Sequence, residues 1–321
     1  FSDHSILSQI ASLAGWTGVT FVVVWFASAI NWIWDRWQQS TEARPGLILL
    51  ATAVTAIFAF GIYRLNTAKD GRLTRVACIV APDTFNDEYL NDVWAYTRGI
   101  EVAEESTSRA RERIGQSLDE HFALVESAVA QEAEIILWPE ANAIMTLQEE
   151  SDWVQRASKI AADNKVFIGM GLIVFRPGTG KGTFNKFVLI DDSGNVVIDT
   201  LKATRVPGSL NAKGDGILPV VESNFGKLSA AICFDMDFPH LIGQAGKGQI
   251  ELFFAPSNDW IEVRDIHAEM ARMRSIEQGF SLVRPTKDGT TIMTDCTGRI
   301  YSSMTLADDR TALLVSEIPV R

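Results

Sequence analysis

Between Ser5 and Trp34 the chain carries no charged side chain, and a second charge-free run extends from Pro45 to Tyr63. At 1.5 Å per residue a helix over Trp16–Trp34 would be about 28 Å long, the thickness of a bilayer's hydrocarbon core. The second run is of equal length, with Arg44 before it and Tyr63-Arg64 closing it, side chains that suit the membrane interface. Trp32, Trp34 and Trp37 would form the aromatic belt of the first run. Buried helices of soluble proteins seldom run so far without one charge. Two transmembrane helices are therefore expected at about 16–34 and 45–63, in a membrane segment covering 1–65. A cleaved signal peptide would need a basic start and a shorter apolar centre, and the opening FSDHSILSQ has no basic start. That opening also lacks an initiator Met, so the chain is expected to be a piece of a longer protein.

Charge changes character near Asn66. The net charge is -11, yet Asp3, Asp35, Glu42, Arg36, Arg44 and Arg64 cancel within residues 1–65, so the whole excess lies in 66–321. An acidic surface repels phosphate backbones and argues against nucleic-acid binding. With 47% hydrophobic residues there is ample material for a core, and 3 cysteines exclude a disulfide scaffold. The loop between the spans holds Arg36 and Arg44, whereas Arg64, Lys69, Arg72 and Arg75 follow the second span, so the charge rule leans towards a cytoplasmic domain.

Beyond residue 70 short β-rich runs alternate with helical stretches: strands are expected at 75–80, 134–138, 166–174, 184–191, 196–200, 228–234, 251–256, 281–286, 291–295 and 312–318. The clearest helices are 104–132, 149–164 and 265–279. Asp192-Ser193-Gly194-Asn195 and Thr297-Gly298-Arg299 carry turn signals between strands. Residues 86–120 mix both charges and read as a solvated helical face.

Among the cysteines, Cys78 lies inside an apolar strand and Cys296 at a turn-flanked strand end, and both read as packing residues. Cys233 stands where the strand LSAAIC breaks towards Phe234-Asp235-Met236-Asp237-Phe238-Pro239. Such a break exposes a side chain and gathers backbone N–H groups beside it. A nucleophilic thiol needs a base and a holder for the developing oxyanion. His4, His121, His240 and His267 show no recognisable catalytic context, and His121 and His267 fall in polar helices. Glu140 closes EIILW through Trp138-Pro139, where an acid after a buried run is costly unless paired or used. Lys202 follows VVIDT and alone would snorkel to solvent. Beside Glu140 it could hold an oxyanion.

The contexts WPE, LKATRVPG and ICFDMDFP, in that order at strand ends, resemble the Glu-Lys-Cys triad of the nitrilase, or carbon-nitrogen hydrolase, superfamily. The run FAPSNDW (254–260) followed by HAEMARMRSIEQGFSLVRPTKDG (267–289), together with LAGWTGVTFVVVWFASAINW, narrows the likeness to the apolipoprotein N-acyltransferase family. The resemblance implies an α/β fold, an α-β-β-α sandwich preceded by two transmembrane helices, with 66–321 as the catalytic domain. It also implies a place in the bacterial cytoplasmic (inner) membrane with that domain facing the periplasm, the reverse of the charge rule.

The implied reaction moves an acyl chain from a phospholipid donor, typically phosphatidylethanolamine, to Cys233 as a thioester. The acyl chain then passes to the N-terminal amine of a diacylglyceryl-cysteine lipoprotein. Glu140 would be the base, Lys202 and the Phe234 backbone N–H the oxyanion support, and Asp235 and Asn258 supporting residues. No metal or organic cofactor is implied. This chain departs from the family pattern in two places. Ser209 and Leu210 stand where a second glutamate is usual, with no acid until Asp215, and Cys233-Phe234-Asp235 replaces Cys-Tyr-Glu. The upstream helices and a final span of the family are not in this sequence. A membrane-tethered amidase or nitrilase-type hydrolase is the alternative, and a non-catalytic relative a third reading.

Overall fold

The computed structural model describes residues 6–37, 40–68, 71–81, 87–101, 103–176, 183–209, 211–305 and 311–320. The opening residues 1–5, Lys69 and Leu210, on which parts of the sequence reading fall, lie outside the described residues.

Two helices come first, α1 (Ala11–Asp35) and α2 (Ser40–Thr67). Both are long and apolar enough to cross a membrane, over Leu7–Asp35 and Ala43–Thr67, and only 11% of each apolar window is buried in the molecule. Phe21, Val24, Ile48 and Leu49 are among the side chains left exposed, an arrangement that water disfavours. Near its start α1 breaks at Ala14 and Gly15, the glycine at φ +65°. There the Trp16 N–H donates to the Glu277 carboxylate at 2.5 Å, while the buried Gln9 side-chain amide donates to the Thr297 carbonyl at 3.0 Å.

In chain order there follow β1 (Arg72–Val80), α3 (Asp87–Arg98), α4 (Glu104–Ala130), β2 (Ile135–Leu137), β3 (Ala143–Thr146), α5 (Leu147–Asn164), β4 (Phe167–Phe175), β5 (Phe184–Ile190), β6 (Val196–Leu201), β7 (Val221–Ser223) and β8 (Gly226–Ala230). After a short 3₁₀ turn, Cys233–Asp237, come α6 (Pro239–Gly248), β9 (Leu252–Phe254), β10 (Ser257–Asn258), α7 (Arg264–Gln278), β11 (Ser281–Arg284), β12 (Thr286–Lys287), β13 (Thr290–Thr294), β14 (Ile300–Thr305) and β15 (Ala312–Val320).

Apart from β10 and β12, which pair with each other, these strands build two sheets. One runs β15-β1-β2-β4-β5-β6, with β3 continuing beside β4 where β2 stops; the other runs β14-β13-β11-β9-β8-β7. Strand alternation sorts the core: Val76 and Cys78 of β1 face Leu228, Phe254 and Val283 between the sheets, while Ala77 and Ile79 pack with Phe122, Val125 and Ala157 beneath α4 and α5. A third cluster, with Leu241, Ile242, Ala271 and Phe253, seals α6 and α7 onto the second sheet. The result is the α-β-β-α sandwich expected from the resemblance.

Two sequence expectations need correction. The charged stretch 86–120 is not one solvated face. Gly99, at φ +70°, separates α3 from α4, and α4 buries Ala110, Ile114, Ser117, His121 and Phe122 along its inner side. The strand expected over 228–234 ends at Ala230: the Ala231 and Cys233 N–H groups still donate to the Phe254 and Pro256 carbonyls, but Pro256 has no N–H to return and Cys233 takes φ +50°.

Candidate active site

Glu140, Lys202 and Cys233 line one cavity of about 1100 Å³ at the seam between the two sheets. The first sheet supplies Glu140 from the end of β2, Asn185 from β5 and Lys202 from the end of β6. Cys233 follows β8 of the second sheet, and Asn258 lies in β10, which pairs with β12.

The Glu140 loop is held from below. β2 pairs with β4 through Leu137 opposite Gly169, and β3 resumes pairing at Ala143 opposite Leu172, so residues 138–142 arch over Gly171. A Cβ on Gly171 would lie 2.1 Å from the Pro139 carbonyl oxygen, which is why glycine stands there. Behind the loop, Trp138 packs against Phe122 and His121, with ring centroids 5.6 and 4.5 Å apart. Both ring nitrogens of His121 face acceptors, Ser117 O at 2.6 Å and Asn142 Oδ1 at 3.1 Å, yet burial holds this imidazole down to about 4.

Glu140 is buried and both its oxygens are engaged. Oε1 accepts from Lys202 Nζ at 2.5 Å and Asn185 Nδ2 at 2.6 Å, and Oε2 from the Asn258 N–H at 3.1 Å. The carbonyl of the same Asn258 accepts the Cys233 thiol at 3.8 Å, so one residue's backbone ties the carboxylate to the sulfur. The supporting part of Asn258 is thus its main chain.

Lys202 is 4% exposed and does not snorkel. Burial pulls its ammonium down, but the Glu140 carboxylate and the Cys233 sulfur outweigh that and hold it above the ordinary lysine range. Burial, with Glu140 second, pushes the Cys233 thiol up to about 12, and Lys202 draws it only partly back.

Asp235 lies two residues beyond Cys233 in the same 3₁₀ turn. Its carboxylate accepts from the N–H groups of Ile232 (3.1 Å), Ala203 (3.1 Å) and Thr204 (2.6 Å), lacing the cysteine turn to the loop that follows Lys202. Burial raises this carboxyl, and the three N–H groups oppose the rise. Phe234 lines the cavity and packs edge-on against Phe238 at 5.1 Å. Ser209 also lines it, whereas Asp215 caps the Ile217 N–H at 2.9 Å.

The cavity lining also includes the apolar Trp94, Ile144, Ile173 and Phe175, beside Thr97, Arg98 and Arg176. Trp260 and the neighbouring Ile261 and Ile266 are exposed by more than half.

The sequence reading passed over two residues here. Asn185 sits in an alternating strand with no motif around it. His267 was set aside as part of a polar helix, but it opens α7 with its ring in the cavity, and its Nδ1 lies 3.1 Å from Asp259 Oδ1. The donor atoms of Cys233, Asp259 and His267 all lie within 4.8 Å of one another. As a cation site the trio is poor, since Arg284 already holds both Asp259 oxygens, at 3.0 and 2.7 Å. Cys78 is fully buried between the sheets, away from this cavity.

The carbon-nitrogen hydrolase family model matches residues 108–319, well over half of the chain and all the residues named in this cavity from Glu140 onward. The chain belongs to the carbon-nitrogen hydrolase family. It is 24% identical over 338 residues to the apolipoprotein N-acyltransferase of Pseudomonas syringae pv. tomato, covering 93% of this chain and 66% of that protein. To the apolipoprotein N-acyltransferase of Shewanella oneidensis it is 25% identical over 370 residues, covering 99% of this chain and 70% of the relative. The chain thus spans about two thirds of the length of these relatives. Among solved structures, an amidase from Nesterenkonia sp. superposes with a TM-score of 0.59 at 17% identity, over 78% of this chain and 92% of the amidase, which shows the shared fold.

Proposed function

We propose that this chain is the catalytic part of a membrane-bound lipoprotein N-acyltransferase, with 1–65 as its membrane segment and 66–321 as its catalytic domain. The observation that carries the reading is the convergence of buried Glu140, Lys202 and Cys233 on one cavity that Trp94, Ile144, Ile173 and Phe175 also line. The two exposed apolar helices support a membrane setting, and the names of the relatives support the acceptor class.

In this reading the donor is a phospholipid, phosphatidylethanolamine foremost. Glu140 takes the Cys233 proton as sulfur attacks the acyl carbonyl. Lys202 and the Phe234 backbone N–H stabilise the oxyanion, and the same proton leaves with the lysophospholipid hydroxyl. The thioester then passes its acyl chain to the α-amine of a diacylglyceryl-cysteine lipoprotein. Each buried CH₂ of that chain gains about 0.8 kcal/mol, which favours a lasting thioester in an apolar cavity over a water-filled hydrolytic one. The catalytic domain faces the periplasm of a bacterial inner membrane, as in the family the sequence resembles.

The test is a labelling experiment on the detergent-solubilised chain. Acyl-labelled phosphatidylethanolamine should leave a hydroxylamine-sensitive label that Cys233→Ala abolishes and that Glu140→Gln and Lys202→Met each reduce by roughly 10² or more. A diacylglyceryl-cysteine peptide should discharge it onto the peptide amine. Release as free fatty acid alone, or cleavage of small amides with the thiol untouched by phospholipid, would make the chain a tethered hydrolase.

A further inference from the structure

The first half of the proposed cycle has a resident base in Glu140. The second half needs a proton moved from nitrogen to sulfur, and the structure holds a group suited to that. His267 reaches the cavity from α7, and its donor atom lies within 4.8 Å of Cys233 Sγ. Its ring is fixed by a chain of charge: Nδ1 to Asp259 at 3.1 Å, and Asp259 to Arg284 through both oxygens. Arg284 in turn donates to Thr286 Oγ1 at 2.8 Å and to the Thr290 carbonyl at 3.0 Å. Asp259 and Arg284 are both buried, and a Cβ on Gly289 would meet Asp259 Oδ2 at 2.7 Å. A buried, fully engaged carboxylate behind an imidazole fixes the ring's orientation, as the acid of a triad does for its histidine base.

Among the described residues, three more charged groups stand around the ring, besides Glu140 across the cavity. Asp237 Oδ2, from the cysteine turn, lies 3.8 Å from Nε2. Lys287 of β12 lines the same cavity, and Arg274, two turns along the same face of α7, donates to the Met236 carbonyl at 2.9 Å and the Asp237 carbonyl at 3.3 Å. Glu140 approaches from the other sheet with both oxygens already holding Lys202, Asn185 and Asn258.

We infer that His267, oriented by Asp259, carries the proton of the acceptor half-reaction, an inference that rests on the acyltransferase reading above. The amine lone pair forms the N–C bond to the thioester carbon. The proton shed by that nitrogen passes to His267, the C–S bond breaks with its electron pair going to Sγ, and His267 returns the same proton to sulfur. Thiol and neutral imidazole are regenerated with no other reactant.

Single-turnover measurements on the full chain in detergent separate the halves. The enzyme is loaded from acyl-labelled phosphatidylethanolamine and then discharged with a diacylglyceryl-cysteine peptide. His267→Ala should load within about twofold of the parent but discharge slower by roughly 10²- to 10³-fold, and added imidazole should restore part of the discharge. His267→Gln, which keeps most of the side-chain volume, should show the same split if the alanine variant melts without cooperativity. Normal discharge in either folded variant overturns the inference, and so does an equal loss in both halves without imidazole rescue. Failure of the parent itself to load from phospholipid would sink the underlying acyltransferase reading, whereas a parent that loads and transfers while the variants do so equally would sink only the role of His267.

Discussion

Gly171→Ala is the most discriminating single change outside the reacting groups. The new methyl would lie 2.1 Å from the Pro139 carbonyl oxygen, 2.7 Å from its carbon and 3.0 Å from Glu140 Cα, so about 1 Å of movement is required. Gly171 is held by β5 opposite Phe187, and its neighbours Gly169 and Leu172 are held by β2 and β3 on the other side. The arch at 138–142 must therefore lift, taking Glu140 off its 2.5 Å contact with Lys202 and its 3.1 Å contact with Asn258. Overpacking of this kind costs about 1–3 kcal/mol, while a displacement of about 1 Å at a reacting group costs about 10²-fold in rate. Gly169→Ala is the control: its methyl meets the Leu137 and Phe187 side chains at 2.5 and 2.6 Å, groups that can rotate without moving Glu140. The expected result is a similar loss of thermal stability in both variants but a loss of acyl-enzyme formation about tenfold or more larger in Gly171→Ala. Equal rates in the two variants would refute the claim that Gly171 sets the position of Glu140.

Two further changes probe the surroundings. His121 is held down to about 4 by burial against an ordinary value of 6.5, so the unfolded chain binds its proton more readily; the stability this contributes is present above pH 6.5 and is lost as pH falls towards 4. Denaturant unfolding of the parent should lose about 2 kcal/mol more between pH 7 and pH 5 than that of His121→Gln, and parallel pH curves would contradict this. Glu277 joins the start of α1 to α7 by accepting from Trp16 N and from Arg274 Nη1, each at 2.5 Å, with the Arg274–Glu277 pair almost wholly buried. Glu277→Ala leaves a buried guanidinium without its carboxylate, a loss of about 3–5 kcal/mol, and should make the chain near Gly15 sensitive to limited proteolysis; a parent-like digestion pattern would show that this link does not hold α1.

The parts of this molecule legible in the sequence are those whose physics is local. Uninterrupted apolar runs such as ACIV and IIL are strands buried on both faces, and they fall where the pattern placed them. The contexts around Glu140, Lys202 and Cys233 were readable because a charged or nucleophilic residue at the end of a buried run is conspicuous. His267 was hidden for the opposite reason. Its helix has acidic and basic neighbours at almost every turn, and the feature that gives the ring its place, the Arg284–Asp259 pair, joins residues 25 apart in different elements. Asn185 is similar: its role depends on β5 lying between β4 and β6, which strand periodicity does not reveal. The premature end of β8 at Ala230 escaped because LSAAIC has good strand composition throughout, whereas the pairing fails at Pro256 of the adjoining segment, which has no N–H to give, and the chain turns at Cys233 with φ +50°.

A thiol raised to about 12 in a buried site is at first sight a poor nucleophile, since only about one molecule in 10⁵ would be thiolate at pH 7. The neighbouring charges change that conclusion. At rest Glu140 and Lys202 form a close ion pair beside a neutral thiol, and the buried cluster of these three groups carries no net charge. Moving the proton from Cys233 to Glu140 leaves Lys202 paired with a thiolate, again without net charge, so burial does not oppose the step as it opposes loss of the proton to water. When sulfur attacks, the negative charge moves on to the carbonyl oxygen and Lys202 again faces an anion. Across the cavity Arg284 neutralises Asp259, so a proton reaching His267 adds positive charge next to a group already balanced, with the Asp237 carboxylate at 3.8 Å to receive it. The same burial that keeps the resting sulfur protonated thus confines its proton to a short path between partners. Reaction should depend on the buried base far more than on the pH of the surrounding water, and Glu140→Gln should slow acyl-enzyme formation at pH 9 as well as at pH 7. Recovery of the variant's rate at the higher pH would mean that free thiolate, and not proton transfer within the cluster, starts the reaction.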